Sequence, residues 1–300
     1  MPSMALVDCA GGLQMLLKAA LTMASGKKPF SERSLSERYE VGEVLGRGAF
    51  GTASAARSRQ DGRQCVLKVV EEGAVPKLAL RHMEAEIHAE MNHRHIVKMY
   101  EAFKVKSQFI IAMEMCHGGE LFDAVQSHGV CNNDEARHIF GQVMQAVNHI
   151  HSKGVAHRDL KMENFLLKEP AASLMQSTVK LIDFGFASRF EVGKAALTTV
   201  CGTPDYMAPE IFRNAPYSSK CDVWSCGVIL YILLSGEPPF GGHSMEELVR
   251  NLRSTPVSFS QDVWQFVSEP AQLVVRRTCC KSVGMRWSTK QVLEGEWLQA

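Results

Sequence analysis

The sequence predicts an α+β chain in which strands and a single helix come first and helices dominate afterwards. Three observations predict it. From Tyr39 the apolar residues fall as in a strand, with Tyr39, Val41 and the pair Val44 and Leu45, and Gln64 to Val70 forms a further strand. Behind Pro76, a favoured first-turn residue, Leu80, Met83, Ile87 and Met91 recur at helical spacing and make one apolar stripe. Much later, Val223 to Leu234 reads as an apolar helix.

Composition bounds what these elements can build. A chain of 300 residues with 46% apolar and 22% charged side chains suffices for one large domain or for two lobes sharing a cleft. Its 33 basic and 32 acidic residues leave a net charge of +1, so no global field holds a polyanion. A nucleic-acid-coating role is excluded on that ground, and any phosphate chemistry has to be local. The longest strictly apolar run, Val228 to Leu234, falls far short of the roughly 18 to 20 residues that cross a bilayer, so no transmembrane segment is expected. The cysteines stand singly apart from the neighbours Cys279 and Cys280 and form no CxxC pair, which favours reduced thiols in an intracellular, cytoplasmic setting. His93 with His95, and His149 with His151, lack cysteine or carboxylate partners at ligand spacing and are not expected to bind metal.

Residues 1–38 differ from the rest and are expected to form an N-terminal tail. Leu13, Leu16, Leu17 and Leu21 are spaced for a short amphipathic helix, and Ser25 to Arg33 looks like linker. A frayed tail, a targeting peptide, a membrane-surface contact and a pseudosubstrate-like arm all stay open, although no basic region precedes the apolar stretch. Pro2 replaces the glycine that N-myristoylation requires.

Leu45-Gly46-Arg47-Gly48-Ala49-Phe50-Gly51 is a GxGxxG loop. Alone it is a weak signal, since such spacing arises by chance in about a tenth of chains this long. Glycines do, however, let a tight turn bring backbone N–H groups to phosphate oxygens. A dinucleotide site of the Rossmann kind places a helix directly after the loop, whereas here a small-residue strand follows from Ala53. On the strand after it Val66, Lys68 and Val70 share a face, so Lys68 points toward whatever the loop covers and needs an anion. The plain alternative, a surface lysine, weakens once the helix behind Pro76 is considered. Glu84 lies within the apolar stripe of that helix, while Glu86 falls with His82 and Glu90 on the polar side. An inward carboxylate wants a cation, and Lys68 is the candidate.

The decisive segment is His157-Arg158-Asp159-Leu160-Lys161-Met162-Glu163-Asn164, with Asp183-Phe184-Gly185 following it. Seven specified positions out of those eight arise by chance in a chain of this length less often than about one time in a million. On these residues the chain resembles the eukaryotic protein kinases, from Tyr39 to about Leu298. Lys161, with Gly202-Thr203-Pro204-Asp205-Tyr206-Met207-Ala208-Pro209-Glu210, resembles the serine/threonine branch. The resemblance implies a bilobal protein-kinase-like fold. A small antiparallel β lobe plus one helix, residues 39–113, would sit over a mainly α-helical large lobe, residues 114–298, with ATP between them.

The resemblance also implies a role for each residue in moving the γ-phosphate of Mg-ATP to protein hydroxyls, a reaction in which the protein mostly positions groups and offsets charge. Gly46, Gly48 and Gly51 would cover the triphosphate, and Lys68, held by Glu84, would engage the α- and β-phosphates. Asn164 and Asp183 would hold magnesium, a hard cation with oxygen ligands. Asp159 would orient the substrate hydroxyl and accept its proton, Lys161 would sit beside the γ-phosphate, and Thr203 would bridge these two. Leu45, Ala53, Val66, Met113 and Leu166 would surround adenine, with Glu114 and Cys116 offering backbone groups and Glu120 at the edge of the nucleotide site. The family usually has valine at the Ala53 position and alanine at the Val66 position, an exchange that conserves volume. Met162 stands where proline is usual. Glu210 and Arg286 are implied to form a buried ion pair, and Asp222 to cap the helix Val223 to Leu234 and steady the catalytic loop.

Within the family the chain is most similar to the calcium/calmodulin-dependent and calcium-dependent kinases, through Phe109 to Phe122 and through Lys220-Cys221-Asp222-Val223-Trp224-Ser225 on to Pro239-Phe240. No DxDxDG calcium loop follows Leu298, so a calcium response would need a calcium-sensing partner or a missing segment. Glu120 and Glu163 resemble the acids with which basophilic kinases pair an arginine, which implies protein substrates of the form Arg-x-x-Ser/Thr. Arg158 in a cleft is costly unless an anion meets it, and Thr199 matches the activation-segment threonine whose phosphate would do so, an expected task for an upstream activating kinase. The rival reading is an inactive nucleotide-binding pseudokinase scaffold. Its signature would be loss of Lys68, Asp159, Asn164 or Asp183, and all four are present.

Overall fold

A computed structural model of the chain describes residues 32–48, 51–71, 78–105, 108–191, 193–213 and 215–300. Leu13, Leu16, Leu17, Leu21 and Pro76 lie outside the described residues. The chain divides into two compact units, one of residues up to 90 with 98–115, the other of 91–97 with 116–300. The boundary therefore falls after Met115 rather than after Met113. Residues 91–97 belong with the second unit because Ile96 bridges Leu181 and the Val97 N–H donates to the Leu181 carbonyl at 3.0 Å.

The first unit is built on a five-stranded antiparallel sheet in the order β1-β2-β3-β5-β4. Its strands are β1 (Tyr39–Gly48), β2 (Gly51–Ser58), β3 (Gln64–Glu71), β4 (Met99–Val105) and β5 (Gln108–Glu114). Alternation sorts β3 onto two faces. Cys65 and Leu67 join Tyr39, Ala56, Phe103 and Ile110 in one core, where the Tyr39 ring stacks on Phe103. Val66 and Lys68 face the other way. On that second side Ala85 of helix α2 (Leu78–Ala89) packs with Phe109 and Ile111, and Ile87 is fully buried. The helix ends before Met91, which is buried in the following turn and so lies outside the helical stripe.

Part of the expected tail is structured. Glu32–Arg38 is a helix, α1, whose Leu35 packs on the first core. Arg38 pairs with Glu101 at 3.0 Å, and the Arg59 side chain donates to the Ser36 carbonyl at 2.9 Å. One leucine in seven residues carries no periodic signal, which is why the sequence reads as tail there.

The second unit is mainly helical: α3 (Leu121–His128), α4 (Asn133–Ser152), α5 (Lys220–Ser235), α6 (Met245–Ser254), α7 (Glu269–Thr278), α8 (Thr289–Leu293) and α9 (Glu296–Gln299). Asn132 and Glu135 cap α4 reciprocally, the side-chain oxygen of Asn132 accepting from the Glu135 N–H and the Glu135 carboxylate from the Asn132 N–H. Helix α5 is buried along most of its length, as its apolar sequence demands, and packs on α4 and α7. Two ribbons, β6 (Val155–Ala156) with β9 (Ser188–Arg189) and β7 (Phe165–Leu167) with β8 (Val179–Leu181), frame the loops that carry the polar motifs. Among the described residues no helix is long and apolar enough to cross a membrane.

Candidate active site

In the first unit the site is a lysine on a strand and a glutamate on a helix. Lys68 Nζ lies 2.8 Å from Glu84 Oε1, with the two side chains only 14% and 3% exposed, while Glu86 is exposed. Partial burial strengthens such a charge-assisted bond. Cross-strand register brings Ala53 opposite Lys68, and Val66 opposite both Ala55 and Met113, so Ala53, Val66 and Met113 share the face of Lys68. Leu45 is half exposed on β1, and Gly46 pairs with Ala53. Gly48 pairs with Gly51 where β1 gives way to β2. Gly51 has φ of 121°, and a Cβ there would lie 2.2 Å from the Val69 carbonyl oxygen, so only glycine fits. The Glu114 N–H donates to the Lys98 carbonyl at 2.8 Å.

In the second unit the motif His157 to Asn164 is fastened from behind by Asp222, which is 1% exposed. Its carboxylate accepts from the His157 N–H, the Arg158 N–H and His151 Nε2, each at 2.8 Å. Burial by itself would raise this carboxyl, but the His151 hydrogen bond and the neighbouring His157 and Arg158 groups outweigh it and hold it below the ordinary carboxylate value. The expected capping role of Asp222 does not hold. Helix α5 begins at Lys220 with Ser219 in the cap position, so Asp222 sits inside the first turn and its oxygens serve the loop instead.

Among the described residues, Arg158 and Asp183 are the non-glycine residues with left-handed backbone, at φ of 70° and 61°. Such conformations cost about 1–3 kcal/mol each and persist where surrounding bonds over-determine them. For Arg158 these include the Asp222 contact and a bond from Nε to the Phe186 carbonyl at 2.6 Å. Asp159 Oδ1 accepts from both the N–H and the hydroxyl of Thr203, at 2.9 and 2.8 Å. Gly202 makes this approach possible, because a Cβ there would lie 2.6 Å from the Arg158 carbonyl oxygen. Lys161 Nζ stands 4.0 Å from Asp159 Oδ2. Asn164 donates its amide to the Asp159 carbonyl at 2.7 Å, leaving Oδ1 as the atom that can ligate a cation. The Ile182 N–H donates to the Asn164 carbonyl, extending the β7–β8 ladder to the residue before Asp183. No cluster of three or more metal-ligating side chains occurs among the described residues. Two oxygen donors nonetheless suit magnesium, which keeps its other positions for water and phosphate.

Glu120 opens α3, and its backbone bridges Leu166. Burial, then the charges of Asp123 and Glu163, raise its carboxyl, with Lys161 opposing, so Glu120, Asp123 and Glu163 form one acidic group. Glu163 also accepts from the Tyr206 hydroxyl at 3.4 Å. Beyond Cys116, the N–H groups of His117 and Gly118 bond to the carbonyls of Lys168 and Leu167. Thr199 is exposed, and its carbonyl accepts from the Tyr217 hydroxyl at 2.6 Å. Arg286 meets both oxygens of Glu210, at 2.5 and 2.9 Å, in a buried bidentate pair.

Sequence reasoning missed Asp123, His151 and Tyr217. Asp123, three residues after Glu120, could have been found from helical spacing. His151 and Tyr217 act on residues 71 and 18 positions away, and no local pattern marks them.

Residues 39–298 match a family model described as "Protein kinase domain". Over 266 residues the chain is 35% identical to "Calcium-dependent protein kinase 5" of Plasmodium falciparum, covering 88% of this chain and 46% of that protein. It is 37% identical over 270 residues to "Calcium/calmodulin-dependent protein kinase type 1B" of Homo sapiens, covering 88% and 76%. It is 32% identical over 271 residues to "Serine/threonine-protein kinase 33" of Mus musculus, covering 88% and 55%. The chain spans about half the length of the first and third of these relatives.

Proposed function

The chain belongs to the protein kinase family, with a domain of the serine/threonine type, and from this premise we propose that it transfers the γ-phosphate of Mg-ATP to serine and threonine hydroxyls in proteins at Arg-x-x-Ser/Thr sites. The observation that carries the reading is the Asp159 carboxylate held at Oδ1 by both donors of Thr203, with Lys161 beside it. Two donors on one oxygen fix the plane of the carboxylate, the requirement for a positioned base. Asp159 takes the proton of the substrate hydroxyl as that oxygen bonds to the γ-phosphorus; the bond from phosphorus to the bridging oxygen breaks, and ADP leaves with the electron pair. Lys161 offsets charge on the transferring group, and Lys68, oriented by Glu84, does so at the α- and β-phosphates. Asn164 Oδ1 and the Asp183 carboxylate hold the metal. Magnesium, when bound, neutralises phosphate oxygens.

Leu45, Ala53, Val66, Met113 and Leu166 offer apolar surface to adenine, Glu114 and Cys116 offer backbone groups, and Gly46, Gly48 and Gly51 leave room for the phosphates. Glu120 and Glu163 pair with the substrate arginine, a bidentate partner for carboxylates. Phosphate on exposed Thr199, added by an upstream kinase and met by Arg158, raises activity. Similarity to proteins named calcium-dependent and calcium/calmodulin-dependent kinases favours a calcium-sensing partner. The scaffold reading lacks support, since Lys68, Asp159, Asn164 and Asp183 are all in place.

The test is transfer from Mg-ATP to an Arg-x-x-Ser peptide by purified protein. Transfer is expected, and Asp183→Asn or chelation of the metal should abolish it. Silence from protein that binds nucleotide and carries phosphate on Thr199 would overturn the reading. A peptide library without selection for arginine would remove its substrate part alone.

A further inference from the structure

The segment around Thr199 is bonded to the body of the second unit through Tyr217. Leu197 and Tyr217 exchange both backbone bonds, Leu197 N–H to Tyr217 carbonyl at 3.1 Å and Tyr217 N–H to Leu197 carbonyl at 2.8 Å. Two residues further on, the Tyr217 hydroxyl donates to the Thr199 carbonyl at 2.6 Å. The anchor is buried: Tyr217 is 3% exposed and Leu197 is 5% exposed, whereas Thr198, Thr199 and Val200 are exposed. The hydroxyl lies beside Arg158 and Cys201, and burial keeps the phenol protonated and able to donate. Four residues after Thr199 comes Thr203, whose two donors hold Asp159.

We infer that Tyr217 is a positioning residue whose hydroxyl fastens the activation segment at Thr199, and through it the Gly202-Thr203 turn against Asp159, before phosphate is added. Tyr217 and a phosphate on Thr199 are then alternative fastenings of one segment. The unphosphorylated chain has basal activity because the tyrosine supplies one of them, and phosphate adds the second. For its activity arm the inference rests on the phosphotransfer reading; its structural arm does not.

Tyr217→Phe keeps the buried ring and removes only the hydroxyl. Wild type and variant are prepared with threonine, or with phosphothreonine incorporated during translation, at position 199. Each is followed by trypsin cleavage after Lys194 and by initial rates on an Arg-x-x-Ser peptide. Without phosphate, the variant should be cut faster and should transfer about two- to tenfold more slowly, the worth of one hydrogen bond. With phosphothreonine the two proteins should converge in both measurements. Unchanged cleavage and rate without phosphate would overturn the inference. So would a loss of equal size in both phosphorylation states, which would make Tyr217 a packing residue only. If no form transfers phosphate but Tyr217→Phe still speeds cleavage at Lys194, the fastening stands and the kinase reading falls.

Discussion

Thr203 gives Asp159 two hydrogen bonds, and a substitution separates them. Thr203→Ala removes the hydroxyl donor and keeps the backbone donor. Hydrogen bonds to a charged group contribute roughly 1.5–3 kcal/mol, so kcat should fall at least about tenfold, with the KM for ATP little changed and with Thr203→Ser restoring most of the rate. Steady-state kinetics checks this. Glu120 makes a prediction in pH. Its carboxyl is raised by burial, Asp123 and Glu163, so it holds its proton to higher pH than an ordinary glutamate. On the proposed reading, the negative charge that would meet the substrate arginine is complete above the raised value and is lost as pH falls through it. The ratio of kcat/KM for peptides with and without the arginine should therefore shrink on mild acidification, and Glu120→Gln should flatten that dependence.

Elements were legible wherever burial imposed a period. The alternation of β3 put Lys68 on one face, the stripe of α2 put Glu84 inward, and the structure brings them within 2.8 Å. Helix α1 was not legible because its single leucine relies on a sheet formed by residues that follow it. The cap expected of Asp222 failed for a related reason, since its partners belong to the loop at 157–158 and to His151. Register adds a prediction for the sheet. Val66 stands opposite Ala55 and Met113, and the small Ala53 shares its face. Val66→Ala removes about two methylene equivalents from this face, so nucleotide binding should weaken by up to about 1.6 kcal/mol, roughly fifteenfold, without loss of fold. Calorimetric titration measures it, and an unchanged affinity would remove Val66 from the adenine surface.

At the scale of the whole molecule, the Glu210–Arg286 pair joins the end of the Gly202 to Glu210 segment to the region before α8. Arg286 is 1% exposed, lies over the Trp224 ring and also donates to the carbonyls of Cys280 and Lys220. Arg286→Ala strands the Glu210 carboxylate inside the unit, a loss of about 3–5 kcal/mol. Thermal unfolding should shift down by several degrees, while Glu246→Ala, at an exposed position of α6, should leave it unchanged. The ion pair was legible only through family resemblance, because nothing near Glu210 or Arg286 in the chain announces the other. Asp222 has a consequence for biosynthesis. Its donors lie 71, 65 and 64 residues earlier in the chain, and a ribosome delivers residues in order. The segment holding Asp159 emerges first and lacks its Asp222 fastening until α5 has been made and has docked. A nascent or truncated chain ending before residue 222 should thus be catalytically silent, and the appearance of activity during synthesis should time the docking of α5.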